Sequence, residues 1–504
     1  MDPPTWTYDV RAQGSPPPRG HLVLTVDGAF ARGGSDSFGV DEESAPFVQS
    51  VEYAPLGGAF RPAAQEGSHW SVPCRVGGCR VRYRFDLSQA ASALDDTTAV
   101  GAGGVIVAPP SAWLLRPLFG AQELAPRDRF RFRMRTDPGV GFASGTAPAP
   151  GGAADEFEGA AGALDNASFA AFGAFHLAEV QSGDSRVDVA IAQRGLPLDE
   201  ADTVEWMHGA VTGVADYYGR FPVRRTLIIV IPGAQRDTTG VTLGEGGPSI
   251  LVRVDAGLTP RRMREDWVVT HELLHVTLPS LGRSHAWLEE GIATYVEPIV
   301  RARAGLVTPA QFWRDLVGNM PQGLPQPGDE GLERTHTWGR TYWGGALFCL
   351  VADLRIRERT HDARSFDDVL RGVAATGADV ETRWPVERFL DAGDRATETE
   401  VLTELYREMG LAPGGVDLDA LWSALGVRLH GGSLSFDDRA PLAPLRRAIT
   451  APTRDPIDGQ SARPHPARRS FGNGTPCDAY RKRPTPEAGT PDTRDGCQTH
   501  ERSP

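Results

Sequence analysis

The chain has 504 residues, 40% of them hydrophobic, and a formal net charge of -13. That length can bury ordinary cores in two or three domains, and the acidic balance argues against nucleic acid or an anionic membrane as a partner. No run approaches the roughly 18 apolar residues that a membrane-spanning helix needs. The start, Met1-Asp2-Pro3-Pro4-Thr5-Trp6, lacks the basic and apolar regions of a signal peptide. A cytoplasmic protein or a longer precursor is therefore expected.

Residues 1–195 read as predominantly β. His21-Leu22-Val23-Leu24-Thr25-Val26, Val81-Arg82-Tyr83-Arg84-Phe85 and Val187-Asp188-Val189-Ala190-Ile191 are strand-like runs among Gly and Pro punctuation. Arg129-Phe130-Arg131-Phe132-Arg133-Met134-Arg135 alternates strictly, which puts four arginines on one face and three apolar side chains on the other. A solvated strand face is the plain reading of that pattern, an anion-binding ladder the sharper one. Cys74 and Cys79 flank a turn-like Arg75-Val76-Gly77-Gly78 and can bridge two strands in an oxidising compartment, which leans the localisation towards the outside of the cytoplasm. Ser144 to Asn166 is rich in Ala, Gly and Pro and reads as a loop.

From Asp199 the pattern changes. A helix through Trp206, Val211, Val214 and Tyr218 precedes the strand Thr226-Leu227-Ile228-Ile229-Val230-Ile231. Thr259-Pro260 then reads as N-cap and first residue of a helix ending before Pro279. That helix carries His271-Glu272-Leu273-Leu274-His275. Positions i and i+4 share a helix face, so two imidazoles at this spacing can hold one Zn²⁺, and Glu272 can act as base on a water at the metal. A metzincin pattern is excluded because Leu281 stands where its third His is required.

A second amphipathic helix follows, with Leu288, Ile292, Tyr295, Val296 and Ile299 at helical spacing. A catalytic zinc takes three protein ligands, and a carboxylate early in this helix suits the third place. Glu289 and Glu290 point about 100° apart, so periodicity leaves both open.

Trp287-Leu288-Glu289-Glu290-Gly291 resembles the W-L-x-E-G segment of the gluzincin aminopeptidases, relatives of aminopeptidase N, and most closely their glycyl aminopeptidase branch. The resemblance implies a ligand set of His271, His275 and Glu290, with one zinc per chain. Tyr342-Trp343-Gly344-Gly345-Ala346 is similar to that family's Y-x-K-G-x segment, whose Tyr donates a hydrogen bond to the tetrahedral intermediate. It departs from the family at Gly344, where Lys is usual, and Tyr295 competes with Tyr342 for the donor role. Glu297, seven residues after Glu290, is a candidate to orient a ligand imidazole.

The family's edge strand, which captures the substrate amine through a Glu, has its counterpart in Gly244-Glu245-Gly246-Gly247-Pro248-Ser249-Ile250-Leu251-Val252. Gly246 and Gly247 then stand for the paired glycines, Ser249 for the anchoring Glu, and Glu245 is out of register. These four are the expected substrate-binding residues.

The implied architecture is α+β: a β-rich domain over 1–195, a thermolysin-like zinc metallopeptidase domain of small sheet and helical lobe over 196–445, and a disordered tail over 446–504 without a recognisable PDZ domain. Capping-box residues Ser365 and Asp368 open one helix of the lobe. The implied function is zinc-dependent hydrolysis of peptides or proteins. The alternatives are a non-catalytic zinc scaffold that binds a cell-envelope component, and an aminopeptidase proper. Retention of Glu272 favours catalysis, because a structural zinc does not need a base.

Overall fold

The computed structural model describes residues 6–451 apart from 32–34, 75–76, 95–96, 119–127, 235–236 and 432. The expected tail therefore lies outside the described residues from 452 onward. The observed architecture is α+β, as expected.

The first part is built on a seven-stranded sheet. Its order is Glu156–Ala160, Arg129–Thr136, Trp6–Gly14, Leu22–Phe30, Cys79–Phe85, Val48–Pro55 and Arg61–Pro62. Strict alternation works as the pleat requires: Phe130, Phe132 and Met134 are buried while the intervening arginines face outward. The inner face is closed by aromatic packing, with Phe132 stacked on Phe157 at 5.1 Å and Trp113 edge-on to Phe132 at 5.5 Å. Cys74 and Cys79 form a disulfide between the ends of their two strands.

The segment 144–166 is not a loop throughout. Glu156–Ala160 pairs antiparallel with the arginine strand and Ala161–Asp165 is a 3-10 turn. The contacts that order it, such as Phe157 on Phe132, come from distant parts of the chain. Its Ala/Gly/Pro composition carries no trace of them.

A second sheet of five strands runs Phe175–Ser182, Ser185–Ala192, Arg225–Pro232, Ser249–Val254 and Thr239–Leu243. Ser185–Ala192, expected in the first domain, pairs in parallel with Arg225–Pro232, so this sheet begins before residue 195. The central strand is apolar on both faces, and each face has a distinct partner. Ile228, Val230, Ile250 and Val252 pack with the helices of the lobe. Leu227, Ile229, Ile231 and Leu251 pack with Val100, Val107 and Phe169 of the first part. Arg225 fastens the same junction, donating to the carbonyls of Ser144 at 2.8 Å and Gly145 at 3.1 Å.

The helix through Trp206 spans Glu200–Tyr218, with the Asp199 side chain accepting the Asp202 N–H at 2.8 Å. The H-E-x-x-H helix is shorter than expected. Thr259 caps a separate turn, Pro260–Met263, and the helix proper is Val268–Val276. Asp266 causes the break: its Oδ1 takes the Val268 N–H at 2.9 Å, which restarts the helix there. Helix Ala286–Arg303 follows and packs on helix Gly345–Arg359. The capping box at Ser365 and Asp368 forms as expected.

Candidate metal centre

Helix periodicity brings His271 and His275 to one face of Val268–Val276, and the start of Ala286–Arg303 crosses in front of them. Glu290 Oε2 lies 3.3 Å from His271 Nε2 and 3.4 Å from His275 Nε2, and the two Nε2 atoms are 3.2 Å apart. These three form the His/Cys/Asp/Glu group found among the described residues with ligand atoms converging on one point. Ligands on a tetrahedral zinc, at bonds of about 2.0–2.2 Å, are separated from each other by about 3.3–3.6 Å. The triangle fits that ion closely.

The same carboxylate settles the charge of the group. Burial works to lower the pKa of His275, but Glu290 outweighs it and lifts the value to about 9. Burial likewise works against the Glu290 anion, yet the two imidazoles hold its carboxyl well below the usual carboxylate range. Without a metal the site stores a proton on an imidazole beside a carboxylate, and a cation must displace it.

The neighbouring Glu289 is turned away. Its Oε1 accepts the Leu281 N–H at 2.6 Å, fixing the loop between the two helices. Gly291, next to Glu290, is required by packing. A Cβ there would lie 2.4 Å from the Gly345 Cα, and one on Gly345 would lie 2.0 Å from the Trp287 carbonyl. The glycine pair lets the helix bearing Glu290 sit backbone to backbone on the helix that follows Tyr342.

Glu272 is 8% exposed and held by two residues that were not expected from sequence. Thr242 Oγ1 donates to its Oε2 at 2.7 Å. Gly240 leaves the space for it: a Cβ at that position would stand 2.4 Å from Glu272 Cγ. Both belong to Thr239–Leu243, the true edge strand, which pairs on one side only with Ser249–Val254. Nothing local marks Thr239-Gly240-Val241-Thr242 as that edge, since pairing order is a property of the whole sheet.

The expected substrate strand is therefore corrected. Ser249 lies in the inner strand, fully buried, with its hydroxyl donating to the Leu243 carbonyl at 3.0 Å and accepting the Phe169 N–H at 2.8 Å. It has no surface to offer a substrate. Gly246 and Gly247 do not form a strand but turn the chain, at φ 80° and 144°. A Cβ on Gly247 would meet the Gly145 carbonyl at 2.0 Å, so the turn is docked on the first part of the chain. Glu245 is ion-paired with Arg383.

Tyr342 sits half-buried on a π-helical turn, Arg340–Gly344, that leads into the apolar helix. Its ring lies against Trp338 at 5.5 Å. Tyr295 is fully buried, and its hydroxyl donates to Asp353 at 2.8 Å, which commits it to the core. Glu297 is also buried, its Oε1 receiving Arg301 at 2.8 Å. Its side-chain hydrogen bond goes to Arg301 rather than to a ligand imidazole. Two indoles are exposed: Trp267, edge-on to His271 at 5.2 Å, and Trp338, against Tyr342. A half-exposed Trp next to a candidate metal ligand has no pattern in sequence.

No protein-family model matches the chain, and no curated protein does. Among solved structures, the aminopeptidase N family protein of Idiomarina loihiensis superposes with a TM-score of 0.61 at 12% identity, over 84% of this chain and 79% of that one. An M1 zinc metallopeptidase of Deinococcus radiodurans gives a TM-score of 0.47 at 17% identity, over 82% and 96%. A mutant of it bound to a Tyr-Ser-Ala substrate gives 0.48 at 16%, over 82% and 95%. The first of these likenesses shows that this chain has the aminopeptidase N fold.

Proposed function

We propose that this chain is a zinc-dependent metallopeptidase, binding one zinc through His271, His275 and Glu290. The observation that carries the proposal is the triangle of ligand atoms 3.2–3.4 Å on a side, with the buried Glu272 carboxylate beside it. A zinc ion held there supplies Lewis acidity for a peptide carbonyl and lowers the pKa of water at the site. Glu272 takes the proton of the attacking water and delivers it to the leaving amine. Thr242 holds one carboxylate oxygen and thereby aims the other. Tyr342 donates its hydroxyl to the developing oxyanion, a role supported by the commitment of Tyr295 to Asp353.

A base that a structural zinc does not need is retained and positioned by two further residues, which favours catalysis over a scaffold. In a metal analysis coupled to peptide turnover, the wild type is expected to carry about one zinc per chain. His275→Ala loses most of it, whereas Glu272→Gln keeps the zinc and loses hydrolysis. Full occupancy in a His271→Ala/His275→Ala double variant would exclude the site.

The carboxylate of the 244–248 turn, Glu245, is neutralised by Arg383, and Ser249 is inaccessible. That supports cleavage with little preference for a free substrate amine, since an ammonium without a carboxylate partner is costly to desolvate. Matched peptides with free and acetylated N-termini are expected to be cut at similar rates. Strong selectivity for the free amine, abolished by Glu245→Ala, would restore an aminopeptidase.

A further inference from the structure

Successive files of the H-E-x-x-H helix face successive strands of the five-stranded sheet. Val269 and Leu273 are buried in the core that holds Ile250 and Val252 of the inner strand. One step around the helix, Val268 and Glu272 lie under the edge strand. A Cβ on Gly240 would stand 2.8 Å from Val268 Cγ1 and 2.4 Å from Glu272 Cγ. Thr242, two residues on and so on the same face of the strand, reaches Glu272 Oε2. A further step gives Trp267, His271 and His275, spaced four apart and so one above another. The same sense of rotation carries this file past the edge strand, to the side where no further strand pairs.

His271 is 6% exposed and His275 half-buried, whereas Trp267, at the N-terminal end of the file, is 44% exposed. Its ring meets that of His271 edge-on at 5.2 Å, and the His271 ring meets that of His275 in the same way at 4.9 Å. The backbone beneath the indole is fixed on both sides. Trp267 O accepts the His271 N–H at 3.0 Å, and Asp266 Oδ1 takes the Val268 N–H at 2.9 Å. The indole N–H has no hydrogen-bond partner among the described residues. Trp287, one helix away, shows the contrast: it is wholly buried and donates to Glu333 at 3.0 Å. Trp267 is thus a large apolar ring, firmly rooted beside a candidate ligand and left open.

We propose that Trp267 is a specificity-determining residue, which takes an aromatic side chain of the substrate next to the scissile bond. An extended chain joining the free side of Thr239–Leu243 passes over the file of Trp267, His271 and His275. Four helical residues rise about 6 Å, or about two residues along an extended chain, which is the offset of the indole from His271. An indole face favours aromatic partners, which gain from offset or edge-on contact beyond the area they bury. That the occupant belongs to a peptide rests on the peptidase reading; that an aromatic group anchored at the metal meets Trp267 rests on the metal site alone.

The test uses the full-length, zinc-loaded protein and two zinc-directed probes, acetohydroxamate and 3-phenylpropanohydroxamate, with metal content measured for every variant. The phenyl probe is expected to bind the wild type about tenfold more tightly than the methyl one. Trp267→Ala, or Trp267→Gln where the smaller residue costs zinc, should erase most of that ratio, and Trp267→Phe should keep most of it. In a digest of a mixed pool of neutral peptides, the wild type should enrich aromatic residues beside the cut. Trp267→Ala should do so about tenfold less. Equal affinity of the wild type for the two probes, or an unchanged ratio without the indole, would overturn the proposal. So would a loss shared equally by both probes, the mark of a purely structural role. A zinc-loaded wild type that cuts no peptide yet keeps the probe ratio would sink the peptidase reading and leave the aromatic subsite standing.

Discussion

Thr242→Val isolates the positioning of Glu272 from the metal. The substitution removes one hydroxyl, the donor 2.7 Å from Glu272 Oε2, and keeps the β-branched shape that suits the edge strand. A hydrogen bond to a charged, buried group is worth about 1.5–3 kcal/mol, or roughly a ten- to hundredfold change in rate if all of it serves the transition state. The structure argues for the upper part of that range. Glu272 is only 8% exposed, so solvent has little access to replace the lost donor. The loss should fall on kcat, with KM and zinc content near wild type, because Thr242 makes no hydrogen bond to the ligand group. Thr242→Ser should recover much of the rate by restoring the hydroxyl. Steady-state kinetics on a neutral peptide, alongside zinc analysis of each variant, separates the outcomes. Wild-type kcat in Thr242→Val, or Ser no better than Val at equal zinc content, would refute the positioning role.

Four further outcomes are expected. Tyr342→Phe should lower turnover by about a hundredfold while leaving zinc content and melting temperature unchanged. Tyr295→Phe should do the reverse, costing about 1–3 kcal/mol of stability by leaving Asp353 Oδ2 short of a donor, with turnover retained. The chelated protein should lose stability with rising pH. His275 gains its proton partner on folding, so its contribution is complete below its ordinary 6.5 and lost as pH rises through about 9. The depressed pKa of Glu290 removes stability only in strongly acid solution. Zinc affinity should move oppositely, rising by up to about tenfold per pH unit towards 9 as the displaced proton becomes easier to release. Thermal melts with chelator and with zinc should therefore diverge as pH rises from 6.5, and a flat chelated profile would contradict the coupling.

Sequence by itself determined what is local or periodic. Turn geometry in an α-helix puts residues four apart on one face, so His271 and His275 were legible as a pair, and Glu272 with them. Alternation exposed the arginine strand, and the Ser365/Asp368 capping box marked a helix start. Other features depend on what a residue meets across the fold. Periodicity alone does not separate Glu289 from Glu290; the W-L-x-E-G resemblance implies Glu290, and the Leu281 N–H, brought beside Glu289 by the intervening loop, holds Glu289 away. Tyr295 and Tyr342 were rivals until burial against Asp353 removed one. Sheet order made Thr239–Leu243 the edge and Ser249–Val254 an inner strand, which moved the candidate site from Ser249 to Thr242 and Gly240. Hydrogen bonds between strands join residues without regard to local sequence, and the same apolar, β-branched runs serve at an edge or in the middle. Which residues flank the candidate site was therefore decided by tertiary pairing and close backbone approach, while the pairing of His271 with His275 was already written in helical spacing.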